Sequence, residues 1–394
     1  MSRIRAAGGW LVAVVLVVVL VAVLVVGIGI APGIGPDAGS GSGAPEADDT
    51  DDTTPTESGA DADDGSDLGR EETPTDVPGG ELRIRYLDVG QADATVVEFP
   101  NGEAMLVDSG DWRDDGKRVL TALREQDVER IDHLVSTHAH ADHIGGHEAV
   151  IDAYETEYDG IGAVYDSGVV HTSRTYERYL DAVERHDVTL YEVREGDAID
   201  VGAASVEFHN PPADTAGEDL DGNGVALTVE YGDRTALFTG DAEAATEARM
   251  VEARGDALAS DVYQVGHHGS ATSSSDPLLA TVDPKVAVIS SARDSQYGHP
   301  HEEVLASFAD RGIETYWTAV HGDVVVTTDG RELSVAPAEE FSTDPEDLRE
   351  ERPDADERRE LADPTIDARA VPTPPPWTGA TPAWSTGSST ARQP

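Results

Sequence analysis

The sequence contains no cysteine, only two lysines and only three asparagines, and each shortage closes off a class of protein. Without cysteine there is no disulfide scaffold, no thiolate zinc site, no cysteine nucleophile and no lipid-modified N-terminal cysteine. Any bound metal must therefore rest on histidine and carboxylate. The asparagines, Asn101, Asn210 and Asn223, stand in no Asn-x-Ser/Thr sequon, so N-linked sugar is not expected. The lysines are Lys117 and Lys285, and no basic residue of any kind lies between Arg5 and Arg70.

What is abundant is negative charge. Acidic residues number 78 against 27 basic, a formal charge of −51 on 394 residues, a length that allows one large or two small domains. A disordered acidic chain is excluded by the periodic apolar segments in the middle of the sequence. Aspartate enriched throughout, with lysine scarce, resembles the proteins of salt-adapted archaea, in which a carboxylate surface keeps the chain hydrated in brine.

The first residues break this pattern. Trp10 to Ile30 is an unbroken apolar run, long enough to cross a hydrocarbon core of about 30 Å as one helix. Arg3 and Arg5 precede it, so residues 1–31 read as a signal anchor with the N-terminus cytoplasmic and the bulk of the chain outside the cell. A cleaved signal peptide, leaving a secreted protein, is the competing reading, although its apolar core is expected to be shorter. Residues 32–80 are Asp, Gly, Thr, Ser and Pro and read as an extended, disordered acidic linker; residues 338–394 read as a disordered acidic and Pro/Thr-rich tail.

Between them, residues 81–337 form one expected domain. Leu82–Asp88, Ala94–Phe99 and Ala104–Asp108 are strand-like, the last two flanking a Pro100-Asn-Gly102 turn that predicts a hairpin. A helix is expected over Lys117–Gln126, and a strand over Ile131–Ser136 that runs straight into Thr137-His-Ala-His-Ala-Asp-His143. Further strands are expected at Ser205–Phe208, Val225–Tyr231, Thr235–Thr239, Asp261–Val265, Val286–Ser290 and Val324–Thr327, and helices near Arg174–Arg185, Ala242–Ala253 and His301–Arg311. The pattern predicts an α/β (α+β) domain of two packed sheets flanked by helices.

Three imidazoles and a carboxylate within six residues, at the end of a strand, are placed to bind metal. His138 and His140 alternate and point to one side of an extended stretch, while Asp142 and His143 reach a second position. Donors of this kind suit zinc, manganese or iron.

This run, His138-x-His140-x-Asp142-His143, resembles the metal-binding signature of the metallo-β-lactamase superfamily. Four segments together resemble the extracytoplasmic hydrolase domain of the ComEC/Rec2 DNA-uptake family: Leu87-Asp-Val-Gly-Gln-Ala-Asp-Ala94, Ser136–Gly146, Leu237-Phe-Thr-Gly-Asp241 and Val265-Gly-His-His-Gly-Ser270, with Tyr297-Gly-His-Pro300 as a fifth. The resemblance implies an αββα sandwich with a site for one or two divalent ions, zinc or manganese, at the edge between the sheets. It also implies His138 and His140 on the first metal, Asp142 and His143 on the second, Asp241 bridging both and His267 as a further ligand, most simply to the second. Asp108 matches a position that supports the site loop from behind. His268 and His299 are left open as ligands, substrate-contacting proton donors or polar rim. The third histidine that many superfamily members give the first metal is missing. Asn223 stands nearest that place, with His209 as the other candidate.

The expected function is a membrane-anchored, extracytoplasmic metal-dependent phosphodiesterase or nuclease using a metal-bound hydroxide, with Asp142 orienting it and taking its proton. Its expected partners are a nucleic-acid or other phosphodiester substrate, the membrane, and a separate membrane channel. Two alternatives stay open: a hydrolase of the same fold acting on a lactone, lactam or other ester, and a non-catalytic binding or assembly module.

Overall fold

The computed structural model describes residues 79–214 and 219–353. The anchor expected at residues 1–31, nearly all of the linker expected at 32–80, and the tail beyond 353 lie outside the described residues.

Alternation builds the first strand. In β1 (Leu82–Tyr86) Leu82, Ile84 and Tyr86 are buried while Arg83 is exposed, as expected where one face meets a core and the other meets solvent. After it come β2 (Thr95–Glu98), β3 (Ala104–Val107), β4 (Ile131–Val135), β5 (Ile161–Asp166) and β6 (Leu190–Glu192). A second sheet takes β7 (Ala198–Val201), β8 (Ala204–Asn210), β9 (Ala226–Tyr231), β10 (Arg234–Phe238), β11 (Val262–Gln264), β12 (Val286–Ile289) and β13 (Glu314–Trp317). The chain then returns to the first sheet with β14 (Val324–Thr328) and β15 (Leu333–Pro337), giving the order β15-β14-β1-β2-β3-β4-β5-β6. The expected hairpin is present, with Val96 opposite Leu106.

Each sheet has an antiparallel part and a parallel part. From β3 to β6 the neighbours are parallel, as they are from β10 to β13. Parallel neighbours require crossovers, and these are the helices: α1 (Lys117–Glu125), α2 (His147–Glu157) and α3 (Arg174–His186) on the first sheet, then α4 (Ala244–Arg254), α5 (Asp276–Val282) and α6 (Glu302–Arg311) on the second. Strand β12 is buried at every position, as a strand covered on both faces should be.

Three apolar clusters follow from this layering. Between the sheets, Ile84, Tyr86, Met105 and Val107 meet Phe208, Leu227, Phe238 and Val288, with Tyr86 stacked on Phe238 at 6.1 Å between ring centroids. Outside the first sheet lie Leu123, Ile151, Tyr154 and Tyr179 from α1 to α3. Outside the second lie Met250, Leu279, Leu305 and Phe308 from α4 to α6. The domain is therefore an αββα sandwich.

The ordered chain does not stop at residue 337. After a short α7 (Thr318–His321), a further helix, α8 (Pro345–Glu350), packs on α6 and buries Leu348 completely. Thr315 N–H donates to the Thr343 carbonyl, tying this segment to β13. Only Pro345 and Leu348 of α8 are buried, too few apolar positions to stand out as a pattern in an acidic stretch.

Candidate metal centre

The carboxyl ends of the parallel strands of both sheets open at the same edge, the usual place for a site in parallel α/β layers. Asp108 follows β3, Thr137 to His143 follow β4, Asp241 follows β10 and His267-His268 follow β11.

Asp241 is the hub. Its Oδ1 faces His143 Nε2 at 3.2 Å and His268 Nε2 at 3.9 Å, while its Oδ2 faces His138 Nε2 at 3.6 Å and His267 Nε2 at 3.7 Å. Asp142 Oδ2 lies 3.3 Å from His268 Nε2. An inner group of Asp142, His143, Asp241 and His268 thus sits on one side of the shared carboxylate. On the other side His138 Nε2 and His140 Nδ1 are 2.9 Å apart, and Asp221 Oδ1 is 3.5 Å from His140 Nδ1.

Each sequence-expected residue has a definite place. His138, His140, Asp142, His143 and Asp241 are brought together. The two adjacent histidines divide differently from the expectation for the second metal: His268 joins the inner group, whereas His267 lies on the rim, near Asp241 Oδ2 and Glu243. Both adopt left-handed backbone, His267 at φ 51° and His268 at φ 56°. Such conformations cost of order 1–3 kcal/mol each and persist where surrounding structure imposes them, characteristically at functional sites. Asn223 turns away, donating Nδ2–H to the Asp219 carbonyl at 2.9 Å. His209 is committed elsewhere, with Nε2 at 2.8 Å from Thr228 Oγ1 and Nδ1 accepting from Arg254 Nε. Neither one completes the first group.

Sequence reasoning missed Asp221 and Asp93. Asp93 is buried behind the inner histidines, its Oδ2 3.9 Å from His143 Nδ1 and 3.8 Å from His268 Nδ1. Its place in the Gln-Ala-Asp-Ala segment was the available signal. Asp108 acts from the same side: Oδ1 accepts the Thr137 N–H at 2.8 Å, and Oδ2 accepts from Thr137 Oγ1 at 2.6 Å and from His143 Nδ1 at 2.7 Å. His268 Nδ1 donates to the Ser290 carbonyl at 3.0 Å. With both Nδ1 atoms engaged from behind, the Nε2 atoms of His143 and His268 point into the gap.

His143 Nε2, His268 Nε2, Asp241 Oδ1 and Asp221 Oδ1 are buried with no aligned hydrogen-bond partner, although they crowd within 4 Å of one another or of a neighbouring donor atom. Buried polar atoms left in this way ask for a ligand, and imidazole and carboxylate donors converging on one gap fit divalent cations. Electrostatics agree. Burial alone would push the Asp241 carboxyl up, but His143, His268 and His138 hold it well below the usual range. Burial would depress His268, yet Asp241, Asp93 and Asp142 raise it to about 9, and Asp241 and Asp108 likewise raise His143. His138 moves the other way, to about 3, through burial and the neighbouring His143.

The gap opens into a pocket of about 530 Å³ lined by His140, Asp142, His267, His268, Tyr297 and His299 among others. His299 forms a wall: its Nδ1 lies 3.3 Å from Gln91 Nε2, and Tyr297 stacks on it at 5.6 Å with 27° between planes. Burial and the neighbouring His268 bring His299 down to about 3, so it stands neutral. Tyr297 itself is 59% exposed.

Comparison with known proteins agrees with this geometry. The sequence pattern of the metallo-β-lactamase superfamily matches residues 87–293. ComE operon protein 3 of Bacillus subtilis (strain 168) is 28% identical over 263 residues, covering 62% of this chain and 33% of that protein. Competence protein ComA of Neisseria gonorrhoeae is 30% identical over 250 residues, covering 63% of this chain and 33% of that one. The chain thus spans about a third of the length of these relatives. Among solved structures, CmlA, a diiron β-hydroxylase from Streptomyces venezuelae, superposes with a TM-score of 0.42 at 15% identity over 66% of this chain and 54% of that one. Two sheets, helices on both outer faces, a shared aspartate between two donor groups and a match across more than half of the sequence lead to one assignment: the chain belongs to the metallo-β-lactamase superfamily.

Proposed function

We propose that this chain is a metal-dependent phosphodiesterase acting on nucleic acid outside the cell membrane. The observation that carries the reading is the Asp241 carboxylate, with His143, His268 and Asp142 on one side, His138, His140 and Asp221 on the other, and a pocket of about 530 Å³ in front. Divalent cations held there would supply Lewis-acid polarisation of a phosphoryl group and hydroxide at neutral pH. The chain's own residues prepare the rest. Burial would raise the Asp142 carboxyl, but His268 and His143 hold it far below the usual range, so it stays ionised and can accept a hydrogen bond that orients an attacking water. The exposed face of Tyr297, backed by His299, suits stacking against a nucleobase, a contact that tolerates any base. A relative named for competence, together with the resemblance to a DNA-uptake family, supports a nucleic-acid substrate.

The net charge of −51 opposes a polyanion in dilute buffer. At about 1 M salt the Debye length falls to about 3 Å, and distant carboxylates no longer act on the substrate. Anchoring through the apolar run at residues 10–30, with a separate membrane channel as partner, belongs to the same reading.

The test is cleavage of single-stranded DNA and of bis(p-nitrophenyl) phosphate, set against a panel of lactones and esters, in molar salt with added zinc or manganese. Phosphodiester turnover that disappears in His140→Ala supports the proposal. Turnover confined to the esters, or activity retained in His140→Ala, refutes it.

A further inference from the structure

We infer that Asp221 is a metal ligand that takes the place left by the missing histidine, so that His138, His140, Asp221 and Asp241 form a complete outer site for a second, exchangeable cation. The inference rests on the metal-dependent reading above and adds which residue closes the outer group and how the two cations differ.

Spacing carries the first part. A tetrahedral site with metal–ligand bonds of about 2.1 Å has ligand-to-ligand edges of about 3.4 Å. The outer group shows 2.9 Å between His138 and His140, 3.5 Å between His140 and Asp221 and 3.6 Å between His138 and Asp241. All four ligand atoms lie within 4.8 Å of one another. Asp221 Oδ1 is buried without a hydrogen-bond partner, so its orientation toward His140 is not explained by a bond it already makes.

The described part of the loop that presents Asp221 is held by several hydrogen bonds. Gly222 N–H donates to Asp219 Oδ1 and Asn223 N–H to the Asp219 carbonyl, closing a turn around Asp221. Asn210 Nδ2 donates to the Gly222 and Gly224 carbonyls, and Arg249 Nη2 also donates to Gly222. Val225 N–H donates to the Thr137 carbonyl at 2.7 Å, stitching this loop to the residue before His138. Arg249 spends its charge on the carbonyl of Gly222 and on Asn210, leaving the carboxylate to the imidazoles. The charged groups that face Asp221 are the carboxylates of Asp241 and Glu243 and the imidazoles of His140 and His267. A cation among them would relieve carboxylate repulsion that no lysine or arginine in this set offsets.

Exposure differs between the two sites by one ligand: His140 and Asp221 are open in the outer group, and Asp142 alone, at 31%, in the inner. The side chains of His140 and Asp221 are 41% and 32% exposed, whereas His143 and Asp241 of the inner group are at 0% and 3%. An outer cation therefore has two ligands that meet water and chelator, and an inner one has a single such ligand, which is the ground for expecting the outer ion to leave first.

The experiment uses the full chain in molar salt, stripped of metal and reloaded with Zn²⁺ alone or Mn²⁺ alone, with bound ions counted by elemental analysis and released stepwise by chelator. The wild type should hold two ions, one leaving at least tenfold more readily than the other. Asp221→Asn should hold one, released as slowly as the slow ion of the wild type. Asn223→Ala should hold two, and Asp221→His, which restores an imidazole, should also hold two even if Asp221→Asn folds poorly. Two ions with unchanged release in Asp221→Asn, or a single ion in the wild type, would overturn the inference alone. A wild type that binds no ion would instead remove the metal-dependent reading beneath it.

Discussion

Replacing Asp108 by asparagine isolates one proton. Asp108 sits in left-handed backbone at φ 58°, a region that asparagine adopts as readily as aspartate, so Asp108→Asn leaves the turn unstrained. Asn Oδ1 can still accept the Thr137 N–H. At the other position a carboxylate oxygen that accepts from His143 Nδ1 at 2.7 Å becomes an N–H group. Two donors then face each other, and the neutral imidazole that metal binding requires of His143 relieves the clash by carrying its one proton on Nε2, the atom aimed at Asp241, instead of on Nδ1. An Nε2 that carries hydrogen cannot bind a metal. Removing one partner of a buried, charge-assisted pair costs about 3–5 kcal/mol, and disturbing the group behind a metal-bound histidine costs about 10–100-fold in metal affinity. Urea denaturation and chelator competition measure the two effects separately. Asp108→Asn with an unchanged unfolding midpoint and unchanged retention of the inner ion would refute the reasoning that this carboxylate sets the tautomer of His143.

Three further outcomes are expected. At Gly145 a Cβ would lie 2.1 Å from Trp112 N and 2.3 Å from Asp111 C, backbone that cannot step aside, so Gly145→Ala should destabilise by about 1–3 kcal/mol or more and lower metal content; a fully loaded variant of normal stability would count against this. Burial, with Arg254 close by, lowers the His209 imidazole to about 4. It stays neutral in the fold while the unfolded chain takes up a proton below its ordinary value of about 6.5, so stability is complete above that pH and is lost as pH falls toward 4, by no more than about 3 kcal/mol for this group. His209→Gln should flatten that slope, and parallel pH profiles for the two proteins would contradict it. Leu348→Ala should cost about 2–5 kcal/mol in urea denaturation, as for any fully buried leucine, and an unchanged midpoint on ending the chain at Ala338 would show that α8 is not part of the folded unit.

The parts of the site that could be read from sequence are those whose geometry is local. His138, His140, Asp142 and His143 share one loop, and the strand before them fixes its direction. Asp241 announces itself through Thr239-Gly240. The choice between His267 and His268 could not be read, because it depends on two successive left-handed residues that turn one ring to the inner group and the other to the rim. Asp221 was hidden by its surroundings: in a chain with 78 acidic residues, one more aspartate in an Asp-Gly-Asn-Gly turn carries no signal. The fold shows the same limit. Strands such as β4 and β12 were legible, whereas β5 and β13 were missed although both bury apolar residues, and β6 has three residues of which none is fully buried.

Strand β1 has a neighbour on each side, β2 close in sequence and β14 far from it, with Ile84 paired to both Val97 and Val326. Long-range pairing of this kind delays completion of a sheet, since a loop of more than two hundred residues must close before the contact rewards it. Until residues 324–328 emerge, the sheet carrying His138 to His143 has an open flank and the cleft between the layers is unsealed. The segment that closes the fold is thereby synthesised after every residue of the candidate metal centre, so the sheet is sealed only once all of those side chains are in the chain.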